Sequence, residues 1–313
     1  MRFPPAPVFA LLVLASLAWA QEVDPKATSP SAKAINSPSQ PAIALQPDAS
    51  GAVPPEQIRQ LLTVAEKKDL ENDKRLRDYT YVERDEEHRL DEHGNVVKTE
   101  IRTSEVLEIY GEQIEKLIAK NDKPLSEEEA RKEDDKVQKI IDKRRNESEN
   151  DRRKRLEKED KQREEDHKFV LEIADAFDFR LLGSETVDGY DCWVLQAEPH
   201  PGYQAKERDA KMLSKFHGRV WIDKVDAQWV KLDVTALDTI TFGVFLARIH
   251  KGASVEVEQT RVNDEVWLPR HVKARLDAKL ALVKTYRMDI DQTYRDYKKF
   301  RTESKITVVG ETQ

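Results

Sequence analysis

Histidine and cysteine are the side chains in this sequence with the most direct routes to metal binding or nucleophilic chemistry. The histidines are His88, His93, His167, His200, His217, His250 and His271. None stands in a His-Glu-x-x-His arrangement or beside a pair of cysteines, so their spacing predicts no zinc site. Cys192 is the only cysteine, and a nucleophilic thiol would need a positioned histidine that the sequence does not specify. We therefore interpret Cys192 as a buried, inert thiol.

The carboxylates and glycines provide no catalytic motif either. Asp289 and Asp291 share one face of a predicted strand, but no glycine-containing calcium loop surrounds them. The sequence contains neither a phosphate-binding glycine loop nor a Gly-x-Ser-x-Gly elbow. We therefore predict a protein that is not an enzyme and that uses no metal or cofactor.

Alternation of apolar and polar residues along most of residues 215–301 indicates a different kind of site. Such alternation is typical of strands with one face in water and the other against apolar groups. We expect the apolar positions to line one cavity, because few helices are predicted to cover so many strands. The predicted lining residues are Val220, Ile222, Val230, Leu232, Val255, Val257, Leu268, Val272, Tyr286, Met288 and Ile290.

Four of the five tryptophans lie in predicted strands of the C-terminal sheet. They are Trp193, Trp221, Trp229 and Trp267. Aromatic residues favour strands, so one interpretation is that the tryptophans cover faces or edges of a sheet. The alternative is that some of them rim an apolar pocket, because an amphipathic ring suits the boundary with water.

One predicted helix and two predicted hairpins accompany this sheet. The double proline at 54–55 opens the helix, whose apolar stripe could lie on the sheet. Residues 78–91 and 96–110 form a long, highly charged hairpin with a glycine in its turn. Residues 179–186 and 190–198 form the second hairpin by the same criteria.

Charged residues dominate the stretch 112–168, which we interpret as a long helical insertion. Ser126 and Glu129 have the spacing of a capping box. The two signs of charge nearly cancel and suit ion pairs four residues apart, which favours a solvated helix. The alternative is an arm that binds a protein partner in the cell envelope. A short amphipathic helix at 169–177 closes the segment, and the net charge of −7 gives no electrostatic reason to expect nucleic-acid binding.

The first 20 residues form a predicted signal peptide. A positively charged start precedes the apolar run Val8–Leu17, and Ala18-Trp19-Ala20 is a small-x-small cleavage site. Gln21 follows, where a lipid-anchored protein would carry a cysteine. Residues 21–53 are rich in proline and serine and are predicted to be a disordered linker. We therefore expect a soluble periplasmic protein with one domain at 54–313.

Three short motifs stand out in the C-terminal half: Gly218–Asp223 (GRVWID), Val262–Pro269 (VNDEVWLP) and Tyr294–Phe300 (YRDYKKF). They resemble motifs of the outer-membrane lipoprotein-sorting family, the LolA/LolB-like group. The resemblance covers residues 170–305 and, more loosely, the helix and hairpin before the charged stretch. It does not supply a counterpart for that stretch, nor for the arginine with which the carriers latch their helical lid.

The resemblance implies an α+β fold in which a strongly curved antiparallel sheet, an unclosed β-barrel, carries short helices across its open side. It implies a binding protein that holds lipoprotein acyl chains or another lipid in an apolar half-barrel cavity, with lipoprotein sorting to the outer membrane as the process. In related periplasmic stress sensors the same fold binds a membrane-bound regulator. A regulatory interaction protein is therefore the alternative function.

Overall fold

The computed structural model of the chain describes residues 43–76, 78–109, 112–206, 209–242, 247–280 and 284–299. These residues form one antiparallel sheet, three α-helices and one 3-10 helix. The predicted signal peptide, and the predicted linker as far as residue 42, lie outside the described residues.

The helices and strands are numbered separately, each in chain order. The helices are α1 (Pro55–Leu76), α2 (Glu127–Arg145), α3 (Glu149–Ala176) and the 3-10 helix (Asp209–Lys215). The strands are β1 (Tyr79–Leu90), β2 (Val96–Ile109), β3 (Glu112–Lys120), β4 (Lys123–Pro124), β5 (Phe177–Val187), β6 (Tyr190–Pro199), β7 (Phe216–Asp223), β8 (Trp229–Ala236), β9 (Ile240–Phe242), β10 (Ala247–Ile249), β11 (Ser254–Val262), β12 (Val266–Leu280) and β13 (Lys284–Lys299).

The strands form a single sheet that does not close. Their order is β4-β3-β2-β1-β13-β12-β11-β8-β7-β6-β5, and the short β9–β10 hairpin extends from β12. β4 and β5 stand at opposite ends of this order, so within the described part of the chain the two edges remain unpaired with each other. The predicted α+β architecture, an unclosed antiparallel barrel with covering helices, is confirmed.

Both predicted hairpins are present, and the first shows how its turn is fixed. The Asp91 carboxylate accepts hydrogen bonds from the backbone N–H groups of His93 and Asn95 at 2.8 and 2.9 Å. Gly94 has a φ of 82°, a left-handed conformation that glycine adopts without steric cost. A short polar turn of this kind sets the register of the two strands that it joins.

The charged insertion begins later than the sequence pattern predicts. Residues 112–120 form β3, which pairs with β2 from Ile109↔Glu112 to Arg102↔Lys120. The expectation of a helix there is wrong: β3 is charged at four of its nine positions, so composition did not separate it from the charged helices that follow it. Its one buried apolar residue is Ile114, which is 5% exposed. The helical part of the insertion starts at Glu127, and the Ser126–Glu129 capping box is present.

Helix α3 joins the charged insertion to the core without a break. The short helix predicted at 169–177 is the last part of this 28-residue helix. Here Phe169, Val170 and Ala174 are buried, whereas α2 contributes no buried residue. The insertion is therefore anchored to the domain through the C-terminal turns of α3.

The end of the predicted linker is ordered against the sheet, so the boundary at residue 53 is wrong. Leu45 and Val53 are 8% and 5% exposed. The Val53 N–H donates to the Phe179 carbonyl at 2.9 Å, and the Leu181 N–H donates to the Gly51 carbonyl at 2.8 Å. These bonds satisfy backbone groups on the outer edge of β5, the last of the described strands at this end of the sheet.

Candidate functional site

An apolar cavity lies between the helices and strands β5–β8. Its interior volume is about 160 Å³, and its mouth is open to solvent. The apolar lining residues are Ile58, Leu61, Leu62, Ala65, Val170, Ile173, Phe177, Phe179, Leu195, Ala197, Leu213, Phe216, Val220, Ile222, Ala227, Trp229, Leu232 and Val234; Glu66, His217, Gly218 and Arg219 complete the wall.

Helix α1 forms one wall of the cavity. Ile58 and Leu61 are each 2% exposed, and with Leu62 and Ala65 they form the apolar stripe predicted from helical spacing. Arg59 at the start of the helix forms an ion pair with Asp175 of α3 at 2.5 Å. This pair fixes the two covering helices to each other above β5.

The second half of α1 is fixed to the ends of the strands. The Gln228 side chain donates from Nε2 to the Ala65 carbonyl at 3.0 Å. Lys68 forms an ion pair with Asp226 in the β7–β8 turn at 3.4 Å. The Trp267 N–H donates to Asn72 Oδ1 at 3.3 Å. α1 therefore reaches from β5 to β12 across the open side of the sheet.

The structure brings nine of the eleven predicted lining residues together on one face. Val220, Ile222 and Leu232 line the cavity itself. The other six continue the same face along β11–β13: Val255, Val257, Val272, Tyr286, Met288 and Ile290. Leu232 pairs with Val257, which pairs with Val272, and directly opposed residues share a face of the sheet. We call this surface the inner face.

Only Val220, Ile222 and Leu232 of the eleven predicted residues line the cavity, so the assignment of the other eight to its wall is wrong. Two of these eight, Val230 and Leu268, also lie in clusters of their own. Both flank irregularities in the strand register. Trp221 pairs with Lys231 and Ile222 with Trp229, which leaves Val230 as an extra residue. A bulge of this kind interrupts the alternation of side chains between the two faces. Val230 accordingly packs in a separate cluster with Trp221.

Leu268 follows the same rule on β12. Glu258 pairs with His271 and Gln259 with Pro269, so Arg270 is the extra residue. Leu268 packs with Tyr79 and Val266 in a cluster of their own, which adjoins the inner face through Leu76 and Tyr297. Simple alternation along β12 assigns Leu268 and Val272 to one face, because it cannot show the bulge between them.

The tryptophans divide between two environments. Trp229 lines the cavity, and its indole N–H is buried with no hydrogen-bond partner. Trp221 and Trp267 pack around Cys192 in the separate cluster. Both interpretations of the tryptophans therefore apply, to different residues.

The sequence predicts no lining residue in α3, the 3-10 helix or β5, yet all three contribute to the cavity wall. Val170 and Ile173 come from α3, Leu213 from the 3-10 helix, and Phe177 and Phe179 from β5. The apolar character of Phe169 to Phe177 was visible in the sequence. Its packing against β7 and β8 was not, because β7 begins only at Phe216, 39 residues after Phe177.

Reactive groups are few in the described part of the chain. Cys192 is fully buried, and desolvation raises the pKa of its thiol to about 12, so the thiol is neutral and unreactive at physiological pH. Among the described residues, no three His, Cys, Asp or Glu side chains are placed to hold a metal ion together. The helices described here are too short or too polar to cross a membrane.

Comparison with known proteins gives matches among solved structures. No protein-family model and no curated protein matches the sequence. A structure described as an outer membrane lipoprotein-sorting protein domain from Vibrio parahaemolyticus is 11% identical, with 78% of this chain and 94% of that chain covered and a TM-score of 0.29. A LolA superfamily protein from Nitrosomonas europaea is 10% identical, with 78% and 93% covered and a TM-score of 0.29.

A DUF1329 family protein from Desulfovibrio piger is also similar, at 10% identity, with 79% of this chain and 95% of that chain covered and a TM-score of 0.28. The comparisons thus return the lipoprotein-sorting group that the sequence motifs resemble. What this chain can bind follows from the chemistry of the cavity and its walls.

Proposed function

We propose that this chain is an exported, non-enzymatic binding protein that holds the acyl chain of a lipid or lipoprotein in its apolar cavity. The observation that supports the proposal is the cavity itself, with eighteen apolar residues in its wall. A process that such binding would serve is lipoprotein sorting to the outer membrane from the periplasm.

The chemistry of the wall favours an acyl chain over a polar ligand. Each methylene group transferred from water into such a cavity contributes about 0.8 kcal/mol. A polar ligand would leave its hydrogen-bonding groups unpaired there, which is unfavourable by roughly 1–3 kcal/mol for each group. Among the described residues, only three polar side chains, those of Glu66, His217 and Arg219, interrupt the apolar wall. A flexible acyl chain can therefore lie along it.

Binding of an acyl-chain fluorophore tests the proposal directly. Ala65→Phe should fill the cavity from α1 with an apolar ring, and Leu232→Glu should place a carboxylate in its wall. Both variants should lose at least about ten-fold in affinity, since a handful of buried methylene groups contributes that much. Val96→Glu is the matched control, because Val96 is 55% exposed at the tip of the β1–β2 hairpin.

Two outcomes of this experiment are decisive. Loss of affinity in Ala65→Phe, with an unchanged far-UV circular dichroism spectrum, supports the cavity as the binding site. A wild-type protein that never binds the fluorophore, or variants that bind like the wild type, would overturn the proposal. Native mass spectrometry of protein purified from its own cell envelope then identifies any lipid that co-purifies.

A protein partner bound through the charged insertion is the second candidate function. The observation that favours it is α2, a 19-residue helix with no buried residue. Its Lys116–Asp134 and Lys120–Glu129 ion pairs hold it beside β3, and most of its surface faces solvent. Recovery of an envelope protein together with a lipid-free chain, and loss of that protein when α2 is removed, would support this candidate instead.

A further inference from the structure

The inner face continues from the apolar residues of β13 onto a row of carboxylates on β1. Glu83 pairs with Tyr294, Asp85 with Gln292 and Glu87 with Ile290. Glu100 on β2 is directly opposite Glu87. We call Glu83, Asp85, Glu87 and Glu100 the acidic row. It is separate from the cavity, which lies against β5–β8.

The carboxylates of the acidic row are largely buried. Glu83, Glu87 and Glu100 are 8%, 9% and 6% exposed. Burial of a carboxylate is costly unless a cation or several hydrogen bonds compensate it. Desolvation raises the pKa of Glu83 to about 8 and that of Glu87 to about 7.

The hydrogen bonds of the acidic row are incomplete. Gln292 donates from Nε2 to Glu83 Oε1 at 3.3 Å. The other oxygen of Glu83, Oε2, and Asp85 Oδ1 are buried without a hydrogen-bond partner. Unpaired buried acceptors are rare in folded proteins. Two of them on adjacent inner positions of one strand point to a donor group that completes the site.

The positive charges facing the row are too few and too distant to complete it. From β2, Arg102 Nη2 lies 3.8 Å from Asp85 Oδ2 and 4.0 Å from Glu87 Oε1, beyond hydrogen-bonding distance. Lys98 pairs with Glu100. Arg84 and Arg89 on β1 and Glu115 on β3 also act on the row electrostatically, while β13 places uncharged Gln292 and Tyr294 opposite it.

We propose that the acidic row is a binding site for the primary ammonium group of a small amphiphile. An ammonium has three N–H donors and would reach Glu83 Oε2 and Asp85 Oδ1 with charge-assisted hydrogen bonds, which are stronger than those between neutral groups. The apolar part of the amphiphile would lie on the neighbouring Ile290 and Tyr81.

One feature favours an organic ammonium over a metal ion, and a second gives the ammonium access to the acidic row from solvent. Within the described residues no three acidic or histidine side chains are arranged to ligate a metal ion, whereas an ammonium needs only acceptors at hydrogen-bonding distance. The Arg102 side chain is 23% exposed and only loosely paired with the row. Its displacement toward solvent would open the row while sacrificing no close hydrogen bond to Asp85 or Glu87.

Calorimetric titration with octylammonium, octanol and octanoate at physiological salt tests the proposal. Octanol has the same alkyl chain without the charge. The ratio of the octanol Kd to the octylammonium Kd therefore measures the contribution of the ammonium group to the affinity. This ratio should be at least about ten at pH 8.5, the contribution expected from a charge-assisted hydrogen bond. It should decrease toward pH 6, because the carboxylates become protonated while an alkylammonium stays charged.

Three variants assign the effect to the acidic row. The double variant Glu83→Gln/Asp85→Asn keeps the shape of both side chains and should reduce the ratio to about one. Glu127→Gln/Glu128→Gln removes the same amount of charge from the exposed start of α2 and should leave the ratio unchanged. Ala65→Phe fills the cavity, which is separate from the acidic row, and should leave the octylammonium affinity unchanged while it weakens binding of the acyl-chain fluorophore, so failure of the proposed lipid binding is recognised separately.

A ratio near one in the wild-type protein would overturn the proposal. So would a ratio that survives in Glu83→Gln/Asp85→Asn, or one that falls equally in the α2 control, since the net negative charge of the chain would then explain the binding. Circular dichroism of each variant establishes that it is folded before the ratios are compared.

Discussion

Gly218 on β7 approaches the backbone of Asp233 on β8 so closely that a Cβ at position 218 would lie 2.4 Å from the Asp233 carbonyl oxygen. Real Cβ atoms do not come that near to a carbonyl oxygen, so any other residue would push the two strands apart. Gly218 borders the cavity. The close approach of β7 and β8 therefore shapes the wall on which the proposed ligand would lie.

We expect Gly218→Ala to destabilise the protein by about 1–3 kcal/mol, the range for overpacking in a well-packed region. Urea unfolding followed by circular dichroism measures the change. Gly94→Ala is the control, because a Cβ there meets no atom within 4 Å and only the backbone conformation at φ 82° is strained. A Gly218→Ala variant as stable as the wild type would show that β7 and β8 can separate freely.

The stability of the protein should decrease as the pH rises from about 6 to about 9. An unfolded glutamate titrates near 4.5, whereas burial raises the pKa of Glu83 to about 8 and that of Glu87 to about 7. Between those limits the folded state binds more protons than the unfolded state, so the free energy of unfolding falls with rising pH. Each unit of pKa difference corresponds to about 1.4 kcal/mol, so the loss should reach a few kcal/mol.

Glu83→Gln should reduce this pH dependence because a neutral amide replaces the group that must ionise. At pH 9 the variant should be more stable than the wild type, and at pH 6 the two should be similar. Chemical denaturation at the two pH values measures the difference, with Glu92→Gln in the exposed hairpin turn as the control. A wild-type stability that is equal at pH 6 and pH 9 would mean that Glu83 is ionised in the folded protein.

Asp226 in the β7–β8 turn connects three parts of the structure. It pairs with Lys68 of α1 at 3.4 Å and with Arg261 of β11 at 3.3 Å, and it accepts a hydrogen bond from Trp267 Nε1 at 3.2 Å. Asp226→Ala should destabilise the protein by about 1–3 kcal/mol, since the buried indole N–H loses its acceptor. Asp226→Asn keeps an acceptor oxygen and should be less harmful. Equal unfolding midpoints for the two variants would assign the effect to the ion pairs instead.

The sequence predicts the fold better than it predicts the site, and the reason is visible in particular residues. Alternation identifies β7, β8 and β11–β13 because each has one apolar face. It fails at Val230 and Leu268, where an extra residue in one strand interrupts the alternation. Such a bulge depends on the pairing of two distant strands and has no local signature at these positions.

The high density of charged residues prevents the sequence from predicting β3 and the burial of the acidic row. β3 and α2 are similarly rich in Lys and Glu, so composition alone assigns both to one helical insertion. The difference lies in β2, whose edge offers unpaired backbone groups to residues 112–120. The acidic row on β1 was hidden in the same way, because Glu83, Asp85 and Glu87 look like ordinary solvent-facing residues until β13 and β2 enclose them.

The solvated part of the charged insertion should be dispensable for the fold of the sheet. Deleting 112–168 would remove β3, so the deletion should run from Glu127 to Gln162, with a flexible Gly/Ser linker of about 12 residues in its place. Thermal unfolding should stay close to that of the wild type, since α2 buries no residue and none of the described side chains at 149–162 is buried. Phe169→Ala in the intact chain is the contrasting change: this side chain is 8% exposed, and its loss should destabilise by about 3–5 kcal/mol. A deletion variant that unfolds at the temperature of Phe169→Ala or lower would show that the insertion supports the sheet.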